Sequence, residues 1–110
     1  MSENTPKLLW QPSQAVIENA NLTRYMRWLA EHRNLHFDNY DTLWAWSVRD
    51  LSAFWDSIRE FFNIHFSTPA QTVLADRTMP GAQWFPCATI NYAENIFRKA
   101  TDKRPMMLYK

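Results

Sequence analysis

Between Leu51 and Phe62 the apolar positions Leu51, Phe54, Trp55, Ile58, Phe61 and Phe62 recur at helical spacing. Asp56, Ser57, Arg59 and Glu60 fall on the other side, so the stretch predicts an amphipathic helix with Asp50 as its cap. A second helix is predicted over Asn21 to His32. There Leu22, Tyr25, Met26 and Leu29 share a face that Trp28 widens, and Arg24, Arg27, Glu31 and Arg33 fall largely elsewhere. Ahead of it, Leu8-Leu9-Trp10 makes an apolar anchor. Ser13 can cap a short helix reaching Asn19, with Ala15, Val16 and Ala20 as its modest apolar side.

Leu35-His36-Phe37 reads as a short extended bridge. Asn39 or Asp38 can then cap a turn-rich helix holding Tyr40, Leu43, Trp44 and Trp46, which Ser47-Val48-Arg49 interrupts. Beyond Asn63 the pattern weakens, and Thr68-Pro69 and Thr78-Met79-Pro80-Gly81 rule out a long regular element. Thr72-Val73-Leu74 is a short strand or an apolar peg. Asn91 and Glu94 have the spacing of a capping box, predicting a final helix from Tyr92 to Ala100 with Ile96 and Phe97 buried. Pro105 to Tyr109 then begins a short terminal strand, as at the entry to a further domain. The expected fold is mainly α, with irregular connections.

Composition sharpens this reading. A chain of 110 residues suits one domain with a small core, and its single glycine, Gly81, leaves few tight turns. The formal charge of +1 is interspersed in sign, with only a mild basic cluster at Arg98-Lys99 and Lys103-Arg104. A nucleic-acid partner is therefore not expected, since it needs a concentrated basic face. No apolar window is long enough to span a bilayer, and the best amphipathic helix lacks the Lys/Arg excess of a membrane-surface helix. The lone Cys87 excludes an intrachain disulfide, and the amino terminus carries no apolar signal segment. The expectation is a cytoplasmic protein.

Little in the chain can make or break bonds. His32 and His36 are four apart, but the helix breaks between them and no HExxH pattern is present, so solvated or structural imidazoles outweigh a metal site. Nothing positions Cys87 against a histidine, and a packed turn with a buried thiol is the better account. Ser47 lacks a glycine elbow, and Asp50 and Asp56 fall at different helical positions. One glycine cannot build a phosphate cradle, so ATP chemistry by this chain alone is unsupported. No catalytic or metal residue is assigned. The six tryptophans have three readings: core, a platform for single-stranded bases, and anchors for a large partner surface. Core claims some of them. The second reading lacks a basic track, and the third gains weight because so many large rings cannot all be buried in one small globule.

Three blocks in order carry a resemblance: Leu9-Trp10-Gln11-Pro12-Ser13; Tyr40-Asp41 through Leu43-Trp44 and Trp46-Ser47-Val48, followed by Phe54-Trp55; and Trp84-Phe85-Pro86 with Asn91-Tyr92-Ala93-Glu94-Asn95. Together they resemble the amino-terminal extension of acyl-CoA synthetases in the adenylate-forming superfamily, above all the acetoacetyl-CoA synthetase branch. The Trp46-Ser47-Val48 and Asn91-Tyr92-Ala93-Glu94-Asn95 elements also resemble acetyl- and propionyl-CoA synthetases. Where that pattern often has Gly, this chain has Cys87.

The resemblance implies a parent ligase that joins acetoacetate to ATP as acetoacetyl-AMP, releasing pyrophosphate with Mg²⁺ assistance. Coenzyme A then takes the acyl group and AMP leaves. It implies that residues 1–7 are a flexible tail, 8–104 a helical cap, and 105–110 the start of a large catalytic domain that is the cap's partner in cis. Trp10, Trp44, Trp46, Phe54, Trp55, Trp84, Phe85, Asn91, Tyr92, Glu94 and Asn95 are the expected structural and interface residues. Phosphate-loop, adenine and catalytic-lysine positions have no counterpart here, so the chain itself is expected to be inactive and to hold no cofactor. A standalone helical interaction module is the alternative.

Overall fold

The computed structural model describes residues 5–105 and 107–110. Five helices and one two-stranded sheet are present among them: α1 (Gln14–Asn19), α2 (Asn21–Arg33), α3 (Tyr40–Arg49), α4 (Leu51–Phe61), β1 (Leu74–Asp76), β2 (Gln83–Trp84) and α5 (Tyr92–Phe97). The fold is mainly α, as the periodicity predicts. Two compact units divide between Leu43 and Trp44, within α3.

In the first unit, Ser13 caps α1 by accepting from the Val16 N–H at 3.4 Å. Ala20 then turns the chain into α2. Its N–H donates to the Ile17 carbonyl, and the Thr23 hydroxyl donates to the same oxygen, so a residue with no side-chain cap still begins a helix. Tyr25 and Leu29, predicted to share a face, are buried, whereas Leu22 of that face stays exposed. The helix ends at Asn34, whose φ of 52° is left-handed and whose N–H returns to the Leu29 carbonyl. Asn63 ends α4 in the same way at φ 53°, with the Ile64 N–H on the Arg59 carbonyl. In a chain with one glycine, asparagine supplies the left-handed stops.

Asn39, not Asp38, caps α3: its Oδ1 accepts from the Thr42 N–H at 3.0 Å, and Thr42 Oγ1 accepts from the Asn39 N–H at 3.4 Å. The interruption expected at Ser47-Val48-Arg49 does not occur. The Ser47 hydroxyl donates to the Trp44 carbonyl at 2.7 Å, so its polar group is satisfied inside an unbroken helix. Asp50 then caps α4, accepting from the Ala53 N–H at 3.1 Å.

In the second unit, α4 also corrects the predicted faces. Ser57, expected on the polar side, is its most buried residue at 1% exposure, while Trp55 and Phe62 of the apolar stripe are exposed. The Ser57 hydroxyl donates to the Phe54 carbonyl at 2.6 Å, so a small residue can enter the interior without an unpaired group. Asp56 stays on the polar side and accepts from Arg59 Nη2 at 3.0 Å.

β1 and β2 pair antiparallel, Leu74 with Trp84 and Asp76 with Gln83, with an irregularity between these pairs. The strand falls slightly beyond Thr72-Val73-Leu74. Gly81, at φ 103°, allows the turn that connects the two strands. First the N–H of Thr78, at 2.8 Å, and then its hydroxyl hold the Asp76 carboxyl below its ordinary value of 3.8.

The last helix is shorter than the predicted Tyr92 to Ala100, stopping at Phe97, and Ile96 and Phe97 are exposed rather than buried. The strand expected from Pro105 does not form at residues 105 and 107–110, and Met106 lies outside the described residues. A segment whose N–H and C=O groups meet no neighbouring strand gains nothing from extension. Of the expected tail, residues 1–4 also lie outside the described residues.

Candidate interface

Helix α4 sets one edge of its stripe against the β1–β2 segment, producing a row of rings. Trp46 meets Phe54 edge-on with centroids 5.8 Å apart, Phe54 meets Trp55 at 5.1 Å, and Trp55 meets Trp84 at 5.9 Å. Offset and edge contacts at these spacings favour the ring quadrupoles. The row grades outward: Trp46 is buried, Phe54 half-buried, and Trp55 and Trp84 are exposed. Trp55, Trp84 and Phe85 line a shallow apolar hollow of about 270 Å³. Phe85 packs its other side on Phe66, with centroids 5.5 Å apart.

Backbone bonds hold this corner. The Phe85 N–H donates to the Val73 carbonyl at 2.7 Å, and the Gln71 N–H donates to the Pro86 carbonyl at 3.3 Å. Ser67 and Thr89 are tied by an N–H···O bond of 2.8 Å, and Thr89 returns one of 3.2 Å to Thr68. The turn demands left-handed backbone on both sides of Pro86, with φ of 45° at Phe85 and 66° at Cys87. Cys87 is exposed, against the buried thiol expected, because the left-handed turn carries its side chain outward. Its Cβ strains a position glycine adopts freely, so Cys87→Gly is expected to raise stability by up to about 1 kcal/mol, measured as a higher urea midpoint at unchanged m-value.

A polar cluster forms the second part of the site. Asn91 caps α5 by accepting from the Glu94 N–H at 3.1 Å. Only half of the predicted capping box forms, because the Glu94 carboxylate lies 3.5 Å from His65 Nε2 instead. Asn95 clamps the backbone of His65. Its Oδ1 accepts from the His65 N–H at 2.8 Å, and its Nδ2 donates to the His65 carbonyl at 2.9 Å and to the Asn91 carbonyl at 3.0 Å. The Arg98 guanidinium donates to the Asn63 carbonyl. Two side chains of α5 and one from its C-cap, Arg98, thus hold the loop that leaves α4.

The sequence-predicted residues do not all converge. Trp46, Phe54, Trp55, Trp84 and Phe85 share the aromatic row and its corner, and Asn91, Glu94 and Asn95 share the cluster on His65. Tyr92 is 77% exposed on α5, Trp44 is exposed on α3, and Trp10 lies exposed ahead of α1 in the first unit. Sequence reasoning missed Phe66, Arg98 and the 63–65 loop. Their partners are mainly backbone carbonyls and a ring far along the chain, which leave no local signature.

In the first unit, His32 stacks on Trp28 at 4.9 Å and contacts its carbonyl at 3.1 Å, while His36 Nε2 lies 3.2 Å from Asn34 Oδ1. Among the described residues no group of three His, Cys, Asp or Glu is arranged to hold a metal ion. No helix there is long and apolar enough to cross a membrane.

Comparison with known proteins places this arrangement. The family described as acetyl-coenzyme A synthetase N-terminus matches residues 40–96. The acetoacetyl-coenzyme A synthetase of Rhizobium meliloti (strain 1021) is 30% identical over 91 residues, covering 83% of this chain and 14% of that protein. The acetoacetyl-CoA synthetase of Macaca fascicularis is 30% identical over 102 residues, covering 89% and 15% respectively. Among solved structures, acetoacetyl-CoA synthetase from Streptomyces lividans is similar over 81% of this chain and 14% of that one, with a TM-score of 0.76 and 51% identity. The chain therefore spans about one-seventh of the length of these relatives.

Proposed function

Because the chain belongs to the acetyl-coenzyme A synthetase N-terminus family, we propose that it is the amino-terminal structural domain of an ATP-dependent acetoacetate–CoA ligase. The observation that carries this reading is the 51% identity and shared fold with the Streptomyces lividans acetoacetyl-CoA synthetase. The acetoacetate assignment over acetate or propionate rests on the names of the relatives.

In the proposed parent, acetoacetate, ATP and CoA become acetoacetyl-CoA, AMP and pyrophosphate through an acyl-adenylate, with Mg²⁺ offsetting the phosphate charge. The residues of this chain do not fit those groups. Its one glycine makes no run of N–H donors for a triphosphate, and its described acidic residues form no metal cluster. Its contribution is support: the aromatic row and the clamp on His65 make a rigid shoulder for the catalytic domain, which continues in cis from residues 105–110. The exposed thiol of Cys87 supports the cytoplasmic setting we infer for this chain.

The test replaces the matching segment of the Streptomyces lividans enzyme with this chain. The chimera is expected to keep acetoacetate-dependent AMP formation within about tenfold of the parent (about 1.4 kcal/mol in the barrier), and the 110-residue chain alone to show no turnover. A folded chimera without activity overturns the reading. Saturable amide shifts of the isolated chain with CoA would overturn a purely structural role.

A further inference from the structure

Helix α5 is amphipathic in the reverse sense. Asn91, Glu94, Asn95 and Arg98, at positions i, i+3, i+4 and i+7, form its polar side. That side faces the protein: Asn95 clamps the His65 backbone, Glu94 meets the His65 ring, and Arg98 holds the Asn63 carbonyl. The opposite side presents Tyr92, Ile96 and Phe97 to solvent, at 77%, 37% and 57% exposure. A helix held by hydrogen bonds on one side and apolar on the other is unfinished, since large rings in water gain nothing from this fold.

We propose that the Tyr92–Ile96–Phe97 face of α5 is a docking surface of this domain, and that its occupant is the catalytic body of the same ligase. This rests on the ligase reading above. Two observations select that occupant. The relatives that share this fold are about six times as long as this chain, so in them a body of protein large enough to cover the face belongs to the same chain. The face also continues into a hollow of about 510 Å³, lined by Phe97, Lys99, Ala100, Thr101, Arg104 and Pro105. A lining that combines Phe97, Ala100 and Pro105 with the cations Lys99 and Arg104 fits an apolar protrusion flanked by carboxylates. Tyr92 and Phe97 are the large rings of the face and carry most of its exposed apolar surface, which makes them the anchors. The clamp then has a purpose: it fixes the angle at which α5 offers this face.

Hydroxyl-radical footprinting of the isolated chain and of the Streptomyces lividans chimera, alongside AMP formation, tests the proposal. Oxidation of Tyr92 and Phe97 is expected to fall at least fivefold in the chimera, and Phe97→Asp in the chimera to restore that of Tyr92. An active chimera with both rings labelled as in the isolated chain overturns the docking face and leaves the ligase reading standing. An inactive chimera with both rings protected supports the face and overturns the functional role. An inactive chimera with both rings labelled overturns both.

Discussion

Replacing Trp46 by alanine is expected to cost the isolated chain about 3–5 kcal/mol, the range for emptying a buried aromatic site. Trp46 is only 5% exposed and is the buried end of the row that runs through Phe54 and Trp55 to Trp84. Its loss leaves a cavity and removes an edge contact on Phe54 at 5.8 Å. Trp84→Ala, made at the exposed end, is expected to cost less than about 1.5 kcal/mol, because much of its surface is wet before the substitution. Urea unfolding followed by circular dichroism measures both. Equal losses would show that the row has no inside and outside, and Trp84 would then be a core residue rather than a partner contact. The contrast matters for function, since an interface residue is one the isolated domain can do without.

Local rules made most of the helices legible. Ser13, Asp50 and Asn91 cap as their side chains require, because a cap depends only on donors within three residues. The failures came where a choice depended on something distant. Periodicity puts Ser57 on the polar surface, yet a hydroxyl that bonds its own helix can be buried, and periodicity does not record what packs over it. The sequence likewise predicts a break at Ser47, whose hydroxyl instead bonds the Trp44 carbonyl of its own helix. Periodicity predicts Ile96 and Phe97 as core, because apolar residues on a helix normally face inward, yet both are exposed. Here the inward side is taken by Asn95 and Arg98, whose targets lie thirty and more residues back at His65 and Asn63. The order of the aromatic and asparagine blocks pointed to the family, but not which of those residues support the fold and which face a partner.

Asn95 is where that distinction becomes measurable. Asn95→Ala removes three hydrogen bonds, to the His65 N–H and to the carbonyls of His65 and Asn91. At about 0.5–1.5 kcal/mol net for each, with solvent able to replace part of what is lost, the expected destabilisation is about 2–3 kcal/mol. Asn95→Asp divides the effect. A carboxylate still accepts from the His65 N–H but places negative charge against the two carbonyls Nδ2 served, so it rescues the first bond and repels at the others. The His65 amide is therefore expected to exchange its hydrogen at least tenfold faster in Asn95→Ala than in the parent chain, and to stay slower in Asn95→Asp than in Asn95→Ala. Destabilisation in both variants with His65 exchange unchanged would mean that Asn95 acts on α5 alone, through its bond to Asn91. In that case the clamp would not set the angle of the helix, and the Tyr92–Ile96–Phe97 face would owe its position to the Arg98 and Glu94 contacts instead.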